Sequence, residues 1–204
     1  MGKGFFDPEN GLFSTLSLLV DIVGLSILWV FLSLPILTLG ASTAALYYTV
    51  IKRFREGEMA TFTLFFQALR RELRQGIVCI LPFVGAALLL FPLHSLCALA
   101  AQQTGWTGSF AAAYFRLMLL LPLALFVWLF PLLGRFTWRT RSLYANALRL
   151  SLTHLPSTLL LLAETVLVWG CILRCLPLLF VLPSLWLLLL SFPLERAFRQ
   201  HTEQ

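Results

Sequence analysis

The chain has 204 residues, of which 59% are hydrophobic and 12% charged, and its 15 Lys and Arg against 9 Asp and Glu give a net charge of +6. A soluble domain carries about 25% charged residues, whereas here the apolar residues stand in runs of about 20, the length that crosses a bilayer. This composition excludes a soluble enzyme, a nucleic-acid-binding domain and a disordered tail.

Five apolar runs predict an all-α integral membrane protein with five transmembrane helices in a single membrane domain over residues 1–204. The runs occupy residues of about 12–34, 77–99, 114–133, 155–173 and 175–193. Arg174 and Pro177 divide the last two runs. Prolines in the second, third and fifth runs predict kinked helices, because each proline removes a backbone hydrogen bond.

Basic residues are concentrated in three of the connections. Twelve of the 15 Lys and Arg residues lie within residues 52–74, 135–149 and 196–199. Because cytoplasmic loops carry an excess of Lys and Arg, this pattern predicts a multi-pass protein of the cell membrane with its N-terminus outside and its C-terminus in the cytoplasm. The alternative is an N-terminus that lies along the cytoplasmic surface, with the first run bent at Pro35.

The basic segments 41–76 and 134–154 are predicted to form amphipathic cytoplasmic helices. In the first segment, a short helix leaves the membrane and ends near Gly57, and Thr61 or Thr63 caps a second helix. Large apolar side chains recur in that second helix at helical spacing. They are Phe62, Phe65, Phe66, Leu69 and Leu73. We expect this stripe to lie in the membrane interface, with docking on a partner as the alternative.

Asp21 and Glu164 are the two carboxylates within the predicted spans, where an ionisable residue is a functional candidate because its burial in hydrocarbon is unfavourable. His94 lies at a depth comparable to that of Asp21, so an Asp21–His94 contact is one expectation, and Arg116 is the competing partner. Glu164 is near the middle of its span, with no charged residue at its depth. Each carboxylate is either a coupling acid for transport or a structural group hydrogen-bonded within the bundle, and the structural interpretation is favoured.

Motifs for catalysis or metal binding are nearly absent. The sequence has no GxSxG, HExxH or phosphate-binding loop. His94 and Cys97 share a helical face, but a metal site needs three or four ligands. We therefore expect no enzyme, no cofactor and no metal site.

Two groups of residues carry a family resemblance through their order and spacing. They are Pro35, Thr38 and Gly40 in a Pro-x-x-Thr-x-Gly segment, then Pro131, Arg135 and Asn146. Over most of its length, the chain resembles the YesL-like family, small bacterial multi-pass membrane proteins whose domain has no assigned function. We expect Pro35 to interrupt the first helix, Gly40 to permit an unusual backbone, and Thr38 or Ser42 to cap the next helix.

The corner at residues 35–40 is either a shaped turn or a docking surface for a partner. Arg135 is expected at the same face of the membrane, paired with a lipid phosphate or with the corner.

The resemblance implies a biological setting, because such proteins resemble products encoded beside carbohydrate ABC importers. We expect an accessory or assembly component in the lipid bilayer whose partners are importer permease subunits, with homo-oligomers as a further option and no nucleic acid. The alternative is a small proton- or solute-coupled transporter that uses Asp21 and Glu164. A third hypothesis, a membrane enzyme acting on lipid or glycan, needs Asp21, His94 and Arg116 close together.

Overall fold

The computed structural model describes residues 11–104, 106–136 and 138–202, which are helical and contain no strand. The α-helices of this part of the chain are α1 (Gly11–Ser33), α2 (Leu39–Glu56), α3 (Thr61–Thr104), α4 (Trp106–Arg135), α5 (Thr140–Thr153), α6 (Leu155–Arg174) and α7 (Leu182–Thr202). Two 3-10 helices, Ile36–Thr38 and Leu176–Phe180, stand in the connections. The all-helical prediction is confirmed, and the N-terminal residues 1–10, which the prediction places outside the membrane, lie outside the described residues.

In the part of the chain that the structure describes, four helices are long and apolar enough to cross a membrane by length and composition. Their windows are Leu16–Ser33, Thr61–Ala101, Trp106–Arg135 and Leu155–Arg174. The apolar part of α7, Leu182–Glu195, is shorter. At 1.5 Å per residue it covers about 21 Å, less than the hydrocarbon core of about 30 Å. It begins later than the predicted span at 175–193 because the second 3-10 helix occupies the start of that run.

Helix α3 is continuous over 44 residues, which corresponds to about 66 Å. It begins at Thr61, one of the two predicted start residues, and it joins the predicted amphipathic helix and the second predicted span in one element. The Thr61 hydroxyl donates to the Met59 carbonyl oxygen at 3.5 Å. The predicted apolar stripe is divided: Phe65 and Leu69 are buried, whereas Phe62 and Phe66 are exposed.

Helix α2 lies at the centre of the bundle, in contact with α1, α3, α4 and α7. Every residue from Gly40 to Tyr47 is buried, and since this stretch exceeds two helical turns, the helix is enclosed on all sides. The prediction of an amphipathic surface segment is therefore wrong for the first half of residues 41–76. The physical reason is that small side chains let helices approach closely, so a segment that is only weakly apolar packs inside.

Glycines on three helices allow this close approach. A Cβ atom on Gly40 would lie 2.5 Å from the Phe130 ring, and one on Gly134 would lie 2.5 Å from the carbonyl oxygen of Ala44. A Cβ atom on Gly76 would lie 2.7 Å from Ala41. Glycine is thus required at these three points of contact between α2 and its neighbours α3 and α4.

The corner between α1 and α2 differs from its prediction. Pro35 does stand at the break, but Gly40 lies inside α2 and is not at a positive φ; among the described residues, Gly57 is the glycine with a positive φ, 75°, where it ends α2. The Thr38 hydroxyl makes no capping hydrogen bond. It donates instead to the carbonyl oxygens of Leu32 at 2.5 Å and Pro35 at 2.8 Å, so it fastens the corner back onto α1.

Helix α5 has the predicted amphipathic pattern. Leu143, Ala147 and Leu150 are buried on one face, while Arg141 and Arg149 are exposed. The Tyr144 hydroxyl donates to the carbonyl oxygen of Cys79 in α3 at 2.6 Å. These contacts attach α5 to the bundle.

Candidate functional site

Asp21 forms a buried ion pair with Arg53, which folding brings to it from α2. Arg53 Nε donates to Asp21 Oδ2 at 2.6 Å, and the two residues are 7% and 8% exposed. Arg53 Nη2 also donates to the Ser17 hydroxyl at 3.1 Å. The predicted pairing of Asp21 with His94 or Arg116 is wrong, because α2 turns back along α1 and brings its basic end to the carboxylate.

Within the described residues, neither His94 nor Arg116 forms a hydrogen bond or ion pair with Asp21. His94 Nδ1 lies 3.0 Å from the carbonyl oxygen of Ala112, a contact that joins α3 to α4. Arg116 is exposed on α4. The structure therefore does not assemble Asp21, His94 and Arg116, the cluster that a membrane enzyme was expected to use.

Glu195 of α7 is a second ionic centre, and the sequence analysis missed it. Its Oε1 accepts hydrogen bonds from Arg135 Nη1 at the end of α4 and, at 3.3 Å, from the Tyr47 hydroxyl of α2. Arg135 thus pairs with α7 and not with the corner at residues 35–40. Glu195 stands just beyond the predicted end of the fifth span, and a lone glutamate beside a basic tail is a weak signal for a buried residue.

The Tyr47 hydroxyl acts as a neutral donor in this centre. Burial raises the pKa of the Tyr47 phenol well above its ordinary value, and the positive charges of Arg135 and Arg55 only partly oppose that rise. Arg55 is itself fixed to α7: its Nη2 donates to the Ser191 hydroxyl at 3.3 Å, and its guanidinium lies 5.1 Å from the centre of the Phe192 ring. Charged and phenolic groups therefore join α2, α4 and α7.

A cleft of about 230 Å³ opens beside this centre, between α2 and the end of α4. Its lining comprises Tyr47, Tyr48, Ile51, Lys52, Glu56, Gly134 and Arg135. Arg71 of α3 lies at its edge, with its guanidinium 5.0 Å from the centre of the Tyr48 ring and its Nη2 donating to the Gly134 carbonyl oxygen at 3.3 Å. We call this cavity, together with Arg71, the basic cleft.

Glu164 differs from the paired carboxylates. Its Oε2 is buried without a hydrogen-bond partner in the described part of the chain. The adjacent Thr165 hydroxyl does not donate to this oxygen. That hydroxyl donates to the Leu161 carbonyl oxygen at 2.7 Å and accepts from Trp186 Nε1 at 3.3 Å.

Two further residues that the sequence singled out lie within helices of the bundle. Pro131 is buried within α4, and Asn146 is half-buried on α5. Within the ranges described above, no group of three His, Cys, Asp or Glu side chains is arranged to hold a metal ion.

Comparison with known proteins gives one match. Residues 22–92 are similar to a family described as "Protein of unknown function, DUF624". The matched stretch runs from α1 through α2 into α3, so it includes Arg53, Tyr47, Gly40 and Gly76. No curated protein and no solved structure matches the chain. The similarity therefore supports a family of unknown function and assigns no activity.

Proposed function

We propose that the chain is an accessory or assembly subunit of the bacterial cell membrane, which binds a carbohydrate ABC importer through its permease subunits and has no catalytic role of its own. The YesL-like resemblance supports the choice of importer. Glu164 supports the choice of a binding function, and it is the observation that carries the proposal.

The argument rests on a contrast among carboxylates. Asp21 and Glu195 are paired with arginines inside the bundle, where they hold helices together. Glu164 has an unpaired buried oxygen on a helix that exposes Leu160, Val166 and Leu167. A carboxyl group without a partner is unfavourable in hydrocarbon, and hydrogen bonds between helices join membrane proteins. Glu164 itself is only half-buried, so a rotation of its side chain would bring this oxygen to a donor on a helix of the importer.

The proposal includes five spans and a cytoplasmic C-terminus. The fifth crossing would consist of α7 with the preceding 3-10 helix, which extends its apolar length. Interhelical hydrogen bonds support its place in the bundle: the Ser26 hydroxyl donates to the Ser184 hydroxyl at 2.8 Å. A C-terminal reporter that is active only in the cytoplasm tests this topology, and activity only outside would contradict it.

Partner capture tests the binding function. The full chain with a C-terminal tag is extracted from native membranes in mild detergent, as wild type, Glu164→Leu and Glu164→Gln. We expect permease subunits to co-purify in a fixed ratio with the wild type, to be lost with Glu164→Leu, and to be retained with Glu164→Gln, which keeps a hydrogen-bonding group.

The control for capture is Glu58→Gln, which changes an exposed glutamate in the α2–α3 connection. It is expected to leave recovery of the permease unchanged. A homo-oligomer without partners would contradict the accessory function.

The unpaired Glu164 also favours one other function, a small proton- or solute-coupled transporter. That function predicts flux by purified protein in liposomes and loss of that flux in Glu164→Gln. Liposomes that move neither protons nor solute would exclude it.

A further inference from the structure

We propose that the basic cleft binds the phosphate group of an anionic lipid. This inference is independent of the importer partner, because the two proposals concern different surfaces. The importer would contact the apolar face of α6, whereas the lipid phosphate would contact charged side chains around α2.

Three helices supply cationic groups to the basic cleft. Lys52 comes from α2, Arg71 from α3 and Arg135 from the end of α4. The two arginines are held in position by protein contacts. Arg71 is held by the Gly134 carbonyl oxygen, the Tyr48 ring and the buried Glu72, whose Oε1 accepts from Arg71 Nε at 2.6 Å, and Arg135 is held by Glu195. Cationic groups that are fixed before the ligand arrives bind phosphate well, because little side-chain freedom is lost on binding.

Lys52 is the cation that can change partners. Its ammonium group pairs with Glu56 one helical turn later, and both side chains are partly exposed, at 32% and 51%. Exposed pairs of this kind are weak, and an ammonium group has three donors. A phosphate in the cleft would therefore compete with Glu56 for Lys52.

The size and surroundings of the basic cleft suit a headgroup. Its volume of about 230 Å³ is below the range of about 300–1,000 Å³ that holds a drug-sized ligand. Tyr47, Tyr48 and Ile51 provide an apolar lining beside the charges, as the glycerol and first acyl carbons of a lipid require. Basic pockets between membrane helices on the cytoplasmic side bind anionic headgroups.

The test measures retained lipid on the purified full chain by native mass spectrometry, with phosphatidylglycerol and phosphatidylcholine as the two probes. We expect wild type to retain phosphatidylglycerol and not phosphatidylcholine. Lys52→Gln should weaken the affinity for phosphatidylglycerol by about tenfold or more, the effect of one charged hydrogen bond. Glu56→Gln should strengthen the affinity, because the competing carboxylate is gone.

Arg70→Gln is the matched control, since Arg70 is exposed on α3 and lies outside the basic cleft. It should leave the affinity unchanged. An equal loss in Arg70→Gln and Lys52→Gln would overturn the proposal in favour of diffuse attraction to the charged surface. Equal retention of phosphatidylcholine would overturn it too. Stabilisation of the lipid-free protein by inorganic phosphate, lost in Lys52→Gln and without selective lipid retention, would show a site for free phosphate and also overturn it.

Discussion

Composition and burial are related in opposite ways in helix α2 and in the second half of α3. Between Gly40 and Tyr47, α2 is built largely from small and hydroxyl-bearing residues, yet it is buried throughout. Between residues 81 and 99, α3 is rich in leucine, yet Leu88, Leu89, Leu96 and Leu99 are all exposed. The difference shows that in this protein high hydropathy marks the surface that lipid would cover, whereas small residues mark the contacts between helices.

The hydroxyl groups of α2 do not remain unsatisfied inside the bundle. Thr43 accepts a hydrogen bond from Trp29 Nε1 at 3.2 Å, and the hydroxyls of Ser42 and Ser33 are 2.8 Å apart. Thr49 donates to the Ala45 carbonyl oxygen within the same helix at 2.8 Å. Buried polar groups with partners add little penalty, so a weakly apolar helix can occupy the centre.

The strongest test of the central position of α2 is removal of its buried ion pair. Asp21→Ala leaves the Arg53 guanidinium buried without its carboxylate, and breaking such a pair destabilises a protein by about 3–5 kcal/mol. We expect a large loss of folded protein in detergent, measured by size-exclusion chromatography and chemical unfolding. Asp21→Ala with Arg53→Met should recover much of the loss. Glu56→Gln, which breaks an exposed pair, should leave the stability nearly unchanged, and a larger loss there than in Asp21→Ala would contradict the account.

Adding a single methyl group where α4 meets α2 sharpens the comparison. Gly134→Ala places a Cβ atom 2.5 Å from the Ala44 carbonyl oxygen, a backbone atom that cannot move alone. We expect a loss of about 1–3 kcal/mol, as for other overpacked interiors. Gly85→Ala is the control in the second half of α3, because its Cβ atom would meet nothing within 4 Å. Alanine favours helix over glycine, so the control should be neutral or stabilising; equal losses in the two variants would show that α2 is not closely packed.

A smaller effect on stability is expected from removing the buried Tyr47 hydroxyl. Tyr47→Phe removes the hydrogen bond to Glu195 and should lower the free energy of unfolding by about 1 kcal/mol near neutral pH. Burial raises the pKa of Tyr47 above its ordinary value of 10.0. The stabilising contribution is therefore complete below about pH 10 and is lost as the pH rises above it.

Unfolding curves measured between pH 8 and pH 11 test this dependence. We expect a decline in stability above about pH 10 that is shallower in Tyr47→Phe. The control is Tyr114→Phe, which changes an exposed residue of α4 and should not alter the decline. Identical declines in wild type and Tyr47→Phe would contradict the burial of this phenol.

The smallest effect on stability is expected from replacing an exposed leucine in the second half of α3. Leu88 is 72% exposed, so Leu88→Ala should change the stability by no more than about 0.5 kcal/mol. Leu133→Ala is the buried counterpart on α4, and it should cost about 2–5 kcal/mol. Thermal denaturation in one detergent compares the two variants, and a similar loss in both would remove the contrast between covered and exposed leucines.

The sequence predicts the apolar runs well because length and hydropathy depend on the local chain. The end of α2 at Gly57, the start of α3 at Thr61 and the amphipathic pattern of α5 are likewise local features. The central position of α2 could not be predicted in this way, because it depends on glycines that are distant in sequence, such as Gly76 and Gly134. Hydropathy alone predicts a surface position for segments of small and basic residues. That prediction is wrong for the first half of α2, which is buried.

The site was predictable only in part, for the same reason. Asp21 stands out as an acid in an apolar run, and Glu164 stands out in the same way. Arg53 and Glu195 do not stand out, because each lies in a basic segment where charged residues are ordinary. Their roles follow from the folding back of α2 along α1 and from the approach of α7 to α4.

Cysteine accessibility in native membranes tests the enclosure of α2 most directly. In a background without the four native cysteines, single Thr43→Cys, Thr49→Cys and Thr63→Cys variants are treated with a membrane-impermeant maleimide from the cytoplasmic side. Thr43 and Thr49 are buried on α2, while Thr63 is exposed at the start of α3. The account predicts rapid labelling at residue 63 and no labelling at residues 43 and 49 until the protein is denatured; labelling of all three at similar rates in the native state would contradict it.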